Sequence, residues 1–210
     1  MEVKTFQFNP FQENTYIVFD ETNECVIIDP GCNSTDEFKK LDEYILRNKL
    51  SPKYLLNTHA HIDHILGNKY IDEEYSLKPH FHIDDLFLYQ NSIEIARMYG
   101  LKYSFLDAPY YFLEENQEII FGNSVLKCLH APGHSPGSIC FYSEKDSVLI
   151  SGDVLFRESI GRTDLPGGNH QQLLANISEK LLTLPDNTVV YPGHMGSTTI
   201  EYEKMHNPFF

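Results

Sequence analysis

The sequence predicts an α/β fold built as two sheets, each covered by helices on its outer face. Three observations predict it. Short β-rich segments followed by a helical segment occur twice along the chain. The helical segments place their apolar residues at helical spacing, so each has one face to bury. The 210 residues, 41% of them hydrophobic, supply a sizeable core for one domain spanning residues 1–210.

The elements follow in order. Val3 to Phe8, Thr15 to Phe19 and Cys25 to Ile28 are β-rich and separated by turn residues. Asp29-Pro30-Gly31 stops that sheet. Ser34 and Glu37 have capping-box spacing, and Phe38, Leu41 and Ile45 recur at helical spacing, so a helix is expected over 35–48. Residues 53–57 form an apolar strand. Asp84 is the expected cap of a helix running to Tyr99 and ended by Gly100. Residues 101–118 are aromatic and irregular and receive no assignment. Val125 to Leu129, Ser138 to Tyr142 and Ser147 to Ser151 read as strands. Gln171 to Leu184 reads as an amphipathic helix with Leu174, Ile177 and Leu181 on one face, and Thr188 to Tyr191 as a last strand.

Composition excludes several classes. Thirty acidic side chains against 16 Lys and Arg leave a formal charge of −14 with no basic cluster. Repulsion from phosphates argues against a nucleic-acid partner. No apolar run approaches the roughly 18 residues of a membrane span, and the N-terminus has no secretory pattern. Cys25, Cys32, Cys128 and Cys140 form no Cys-x-x-Cys pair and read as core residues. A reduced, cytoplasmic protein acting on a small molecule is expected. Oligomeric state is left open.

The most informative stretch is Thr58-His59-Ala60-His61-Ile62-Asp63-His64, which packs three imidazoles and a carboxylate into six residues where a strand ends. These are zinc ligands, and imidazole also suits iron, copper and nickel. Ligands gather at the carboxyl ends of strands in layered α/β proteins. Three further segments share one grammar: Ala131-Pro132-Gly133-His134, Ser151-Gly152-Asp153 and Tyr191-Pro192-Gly193-His194. Each ends a strand in a Gly turn that delivers one His or Asp. A lone His after a strand is more often a hydrogen-bonded structural residue, but three such turns accompany the cluster here.

With these residues the chain resembles the metallo-β-lactamase superfamily over residues 3–200. His59, His61, Asp63, His64, His134, Asp153 and His194 match the family's dinuclear metal pattern in type and order, and Asp29 before Pro30-Gly31 matches a structural position. The resemblance implies a four-layer αββα sandwich with two divalent ions at one edge of the sheets: zinc, with iron or manganese as alternatives. It implies that His59, His61 and His134 hold one ion, that Asp63, His64 and His194 hold the other, and that Asp153 bridges. Asp63 and Asp153 are then the carboxylates closest to the reaction. One carboxylate can span two cations about 3.5 Å apart. Water held between them would ionise near neutral pH, since one zinc brings bound water to about pKa 7.

Ser159-Ile160-Gly161-Arg162-Thr163-Asp164-Leu165-Pro166-Gly167-Gly168 makes the chain similar to the short glyoxalase II-like branch, the hydroxyacylglutathione hydrolases. That implies cleavage of a small thioester or ester of the S-D-lactoylglutathione type. Arg162 is the expected substrate-carboxylate ligand, against an internal Arg162–Asp164 network that shapes the loop. Full-length glyoxalase II carries a further helical domain that grips glutathione; the 210 residues are expected to lack it, so tight glutathione recognition is not implied. The alternative reaction is that of a mononuclear iron persulfide dioxygenase, which shares the Gly-Arg-Thr-Asp element and holds iron at positions matching His59, His134 and Asp153.

The other histidines read as structural. His80 and His82 alternate on a strand face, where hydrogen bonding is favoured over a third metal site. His130 precedes a turn, His170 starts a helix and His206 lies in a tail. Tyr103, Phe105, Tyr110, Tyr111 and Phe112 read as core packing in preference to a substrate groove or dimer contact.

Overall fold

The computed structural model describes Met1–Phe210 and has two six-stranded sheets packed face to face. Strands β1 (Glu2–Phe8), β2 (Glu13–Phe19) and β3 (Glu24–Ile28) form an antiparallel meander. Helix α1 (Thr35–Arg47) crosses over to β4 (Ser51–Leu56), which runs parallel to β3. Two short helices follow, α2 (Ile62–Ile65) and α3 (Asn68–Tyr75). Strand β5 (Pro79–His82), helix α4 (Leu86–Met98) and strand β6 (Tyr111–Leu113) complete this half. The second sheet begins with β7 (Glu118–Phe121), β8 (Ser124–His130), β9 (Ile139–Ser143) and β10 (Val148–Gly152). A small hairpin, β11 (Leu155–Phe156) and β12 (Ser159–Ile160), precedes helix α5 (His170–Asn176). Strand β13 (Val189–Pro192) runs parallel to β10, and β14 (Thr198–Thr199) and α6 (Ile200–His206) close the chain. No helix is long and apolar enough to cross a membrane.

Strand alternation builds the layers. Val18, Val26, Ile28 and Leu56 of the first sheet face Leu126, Cys128, Phe141 and Ile150 of the second in one core. Their odd-and-even neighbours point outward. Ile17, Ile27 and Leu55 pack beneath Leu41 and Ile45 of α1, while Cys140, Leu149 and Val190 pack beneath Leu173 of α5 and Ile177 and Leu181 beyond it. Side chains with period two thus give each sheet two apolar faces, and amphipathic helices cover the outer ones. This is the expected αββα order. All four cysteines are buried and free, also as expected.

Several local expectations need correction. Glu37 does not complete a capping box by returning to Ser34; its carboxylate accepts the N–H groups of Asn9 and Asn33, tying α1 to the first hairpin. The cap of α4 is Asp85, not Asp84, because a 3-10 turn over Ile83–Asp85 comes first. The helix expected over 171–184 begins one residue earlier and passes into a π turn over Ile177–Leu181. Leu173, Ile177 and Leu181, spaced four apart, share the buried face, with Leu174 only partly buried. Residues 101–118 contain β6, where Tyr111 and Phe112 stay exposed at the sheet edge, while Tyr103, Phe105 and Tyr110 are half-buried and pack against the core beneath α4. His206 belongs to α6 rather than to a tail.

Candidate metal centre

The seven histidines and aspartates singled out above converge at the carboxyl ends of β4, β8, β10 and β13. His59 and His61 lie in the extended segment after β4. Asp63 and His64 lie on the single turn α2, with the His64 ring 4.1 Å from that of His59. His134, Asp153 and His194 follow the ends of β8, β10 and β13. Gly193 is required by closeness: a methyl there would overlap the Asp153 carboxylate and the His64 ring. Gly133, at φ 141°, has the same constraint against the backbone of Leu173 in α5.

Two groups result. His61 Nδ1 lies 2.8 Å from His134 Nε2, which lies 3.3 Å from His59 Nε2. Tetrahedral zinc with Zn–N bonds of about 2.0–2.1 Å spaces its ligand atoms about 3.3 Å apart. In the second group, His194 Nε2 lies 3.3 Å from Asp63 Oδ2, and His64 Nε2 lies 3.8 Å from the same oxygen. Asp153 stands between the groups. Its Oδ2 is 3.5 Å from His134 Nε2 and 3.6 Å from His194 Nε2, and its Oδ1 is 3.5 Å from His64 Nε2. His64 Nε2 and Asp153 Oδ1 are buried with no hydrogen-bond partner. Buried polar atoms are rarely left so. The donor set therefore fits two divalent cations.

Outer hydrogen bonds fix which ring nitrogen faces inward. Thr58 Oγ donates to Asp29, leaving its lone pair for Nδ1–H of His59 at 3.0 Å. His64 Nδ1–H donates to Asp29 at 3.0 Å. His134 Nδ1–H donates to the Arg162 carbonyl at 2.8 Å, and His194 Nδ1–H to the Phe11 carbonyl at 3.2 Å. Each partner holds a tautomer with Nε2 free to ligate. Asn14 steadies the last turn by donating to the carbonyls of Pro192 and Met195.

Charge divides the groups in the same way. Burial, reinforced by the neighbouring imidazoles, holds His59 well below the ordinary histidine range. Burial likewise brings His61 to about 3 and His134 to about 4. Neutral imidazole is the ligating form. Burial also acts on His64, but the carboxylates of Asp63, Asp153 and Asp29 outweigh it and push its pKa up. Burial works against ionised Asp63 too, yet His64 and His194 hold its pKa below the usual carboxylate range. Burial raises that of Asp153.

Sequence reasoning missed Thr58, Asn14, Phe11 and Asp85 as supports. Asp85 had a legible signal as an acid before an apolar helix; Phe11 had none, lying in a hairpin turn. Arg162 lines the cavity beside the metal centre, but its guanidinium fork is engaged by Asp164 through two bonds of 2.7 Å. The internal network is the arrangement found. His80 donates to backbone carbonyls and stacks on Tyr111, and His82 stacks on His130.

A sequence profile of the metallo-beta-lactamase superfamily matches residues 8–194. The chain belongs to that superfamily. Superfamily members bind metal ions, in keeping with the clusters described. The chain is 35% identical to the hydroxyacylglutathione hydrolase GloC of Haemophilus influenzae, over all of this chain and 98% of that protein. Among solved structures it is similar to the BLEG-1 B3 metallo-beta-lactamase, with TM-score 0.90 and 37% identity over 99% of each chain. It is similar as well to TTHA1623 in a di-iron-bound form, with TM-score 0.87 and 38% identity over 100% of each chain.

Proposed function

We propose that this protein is a two-metal hydrolase of small thioesters or esters, with S-D-lactoylglutathione as its reference substrate. His59, His61 and His134 hold one ion, Asp63, His64 and His194 the other, and Asp153 serves both. The observation that carries the reading is Asp153, whose two oxygens face imidazoles of both groups at 3.5–3.6 Å. Structural zinc sites are closed by four protein ligands each. Seven ligands shared between two ions leave positions for water and substrate. The likeness to a hydroxyacylglutathione hydrolase supports the thioester class.

Bound divalent cations supply Lewis acidity and activate water near neutral pH. The chain supplies the rest. Asp63 and Asp153 line the cavity floor and orient the incoming water. Asp63 is placed to accept its proton at Oδ1, the oxygen that does not face His64 and His194. The water oxygen bonds to the carbonyl carbon, the C–S or C–O bond breaks, and the proton leaves with the thiol or alcohol. Zinc is the leading metal, and the di-iron-bound neighbour keeps iron as an alternative. The complete second ligand group favours this reading over a one-iron persulfide dioxygenase.

The test is turnover of S-D-lactoylglutathione by metal-loaded protein, before and after treatment with a chelator, with the β-lactam nitrocefin as competing substrate. Chelator-sensitive release of glutathione is expected. Hydrolysis of nitrocefin alone, or oxygen uptake with glutathione persulfide, would replace the reading.

A further inference from the structure

The wall of the active cavity has a chemistry that the metal ligands do not explain. The cavity, about 700 Å³, contains His61, Asp63, His134, Asp153 and His194 on one side. Helix α4 forms much of the opposite side, presenting Leu88, Ser92, Ile95 and Tyr99, which recur at helical spacing. The same helix buries Tyr89 and Ala96 in the core on another face. A surface helix ordinarily carries polar residues away from its core stripe. Here the second stripe is apolar at Leu88, Ile95 and Tyr99 as well, its one small polar member, Ser92, being buried and bonded to Tyr103, and it faces the cavity. Phe11 from the first hairpin meets Tyr99 edge to face at 5.3 Å and extends the wall toward the metal ligands. Met98 is 80% exposed and Met195 61% exposed, yet both face the same space.

Charge is missing from that wall. Apart from the metal ligands, Arg162 is the sole charged residue lining the cavity, and Asp164 already holds the Nε–Nη2 edge of its guanidinium. Glutathione carries two carboxylates and an ammonium. An ionic group placed against such a surface loses hydration without gaining a partner. A hydrocarbon group gains instead, and apolar cavities with few polar groups are what ligand sites of this volume commonly offer.

We propose that the preferred substrate of this site carries an apolar hydrocarbon group beside the scissile thioester or ester bond, seated against Leu88, Ile95, Met98, Tyr99 and Phe11. The inference rests on the hydrolase reading above. It commits to a substrate class in which glutathione is an inferior carrier.

Two series of thioesters test it with metal-loaded protein. In one, N-acetylcysteamine carries acetyl, butanoyl or hexanoyl. In the other, thioacetate carries S-ethyl, S-butyl or S-hexyl. Burial of one methylene corresponds to about a fourfold gain. We expect kcat/KM to rise at least about tenfold from the shortest to the longest member of one series, and to exceed that for S-D-lactoylglutathione. The series that responds tells whether the group is the acyl chain or the thiol. Met98→Asp, at a position too exposed to threaten folding, and Ile95→Asn should each flatten the slope. Equal rates along both series, or lactoylglutathione ahead of every member, overturn the proposal while leaving a hydrolase. Should neither these thioesters nor the matching oxygen esters be cleaved, the hydrolase reading fails, and binding still decides the apolar site. Calorimetry with the uncleavable thioethers S-ethyl- and S-hexyl-N-acetylcysteamine should show at least about tenfold tighter binding of the longer one; equal affinity rejects the site.

Discussion

Asp85 accepts the backbone N–H of Ala60 at 2.9 Å, between the two metal-facing histidines His59 and His61. The same buried carboxylate accepts Ser135 Oγ at 2.8 Å and Gly137 N–H at 2.6 Å, beside His134. One side chain at the start of α4 thus ties the loop after β4 to the turn after β8. The three nitrogens of the first group come from both sides of that tie. Asp85→Ala should weaken zinc at the first group by about 10–100-fold, the usual cost of an outer partner. Asp85→Asn keeps one acceptor oxygen and should fall between. Competitive zinc titration checks this, with circular dichroism showing that both variants fold.

Asp153→Ala removes the carboxylate that stands between the two groups. Zinc content should drop from two per chain to one or fewer, and thioesterase activity by more than about a hundredfold, beyond the upper end for outer partners. Elemental analysis alongside initial rates decides it. Two bound ions with full activity would remove Asp153 from the centre.

Much of this candidate centre was legible because its seven histidines and aspartates sit in short motifs with turn chemistry around them. His134 and His194 each follow Pro-Gly after a strand, and the His59–His64 run is dense. The fold was legible where strands are continuous β-rich runs bounded by turn residues and helices are long, as for β2, β3 and α1. What escaped is set by long-range contacts. Strand β6 has only three residues, and nothing local in Tyr111-Phe112-Leu113 shows that β5 lies beside it. The π turn after α5 answers to packing against Leu149 and Val190, not to its own propensity. Arg162 and Asp164 are two residues apart, and spacing alone cannot tell a substrate ligand from an internal pair.

The inter-sheet core should dominate stability. Phe141 is fully buried between the sheets, among Val26, Ile28 and Leu126. Phe141→Ala should cost about 3–5 kcal/mol through lost burial and the cavity left behind. Leu46, 74% exposed on α1, provides the contrast, and Leu46→Ala should change stability by less than about 0.5 kcal/mol. Urea unfolding at fixed metal concentration measures both.

Acid should loosen the end of the sandwich held by Asp20. This carboxylate is buried at the end of β2, and burial alone would raise its pKa. Hydrogen bonds from Thr22 N and Oγ1, Ser124 Oγ and Asn123 N outweigh that cost and bring it to about 2. A free aspartate titrates near pH 3.9, so the unfolded chain takes up this proton first as pH falls. The folded state is therefore favoured by the ionised Asp20 above about pH 4, and that contribution disappears as pH drops toward 2. Asp20→Asn cannot ionise, and it loses an acceptor for the turn between β7 and β8. Its urea midpoint should lie below that of the unaltered protein at pH 7, and the gap should narrow between pH 4 and pH 2. A gap constant across that range would mean that the Asp20 charge contributes nothing to joining the two sheets.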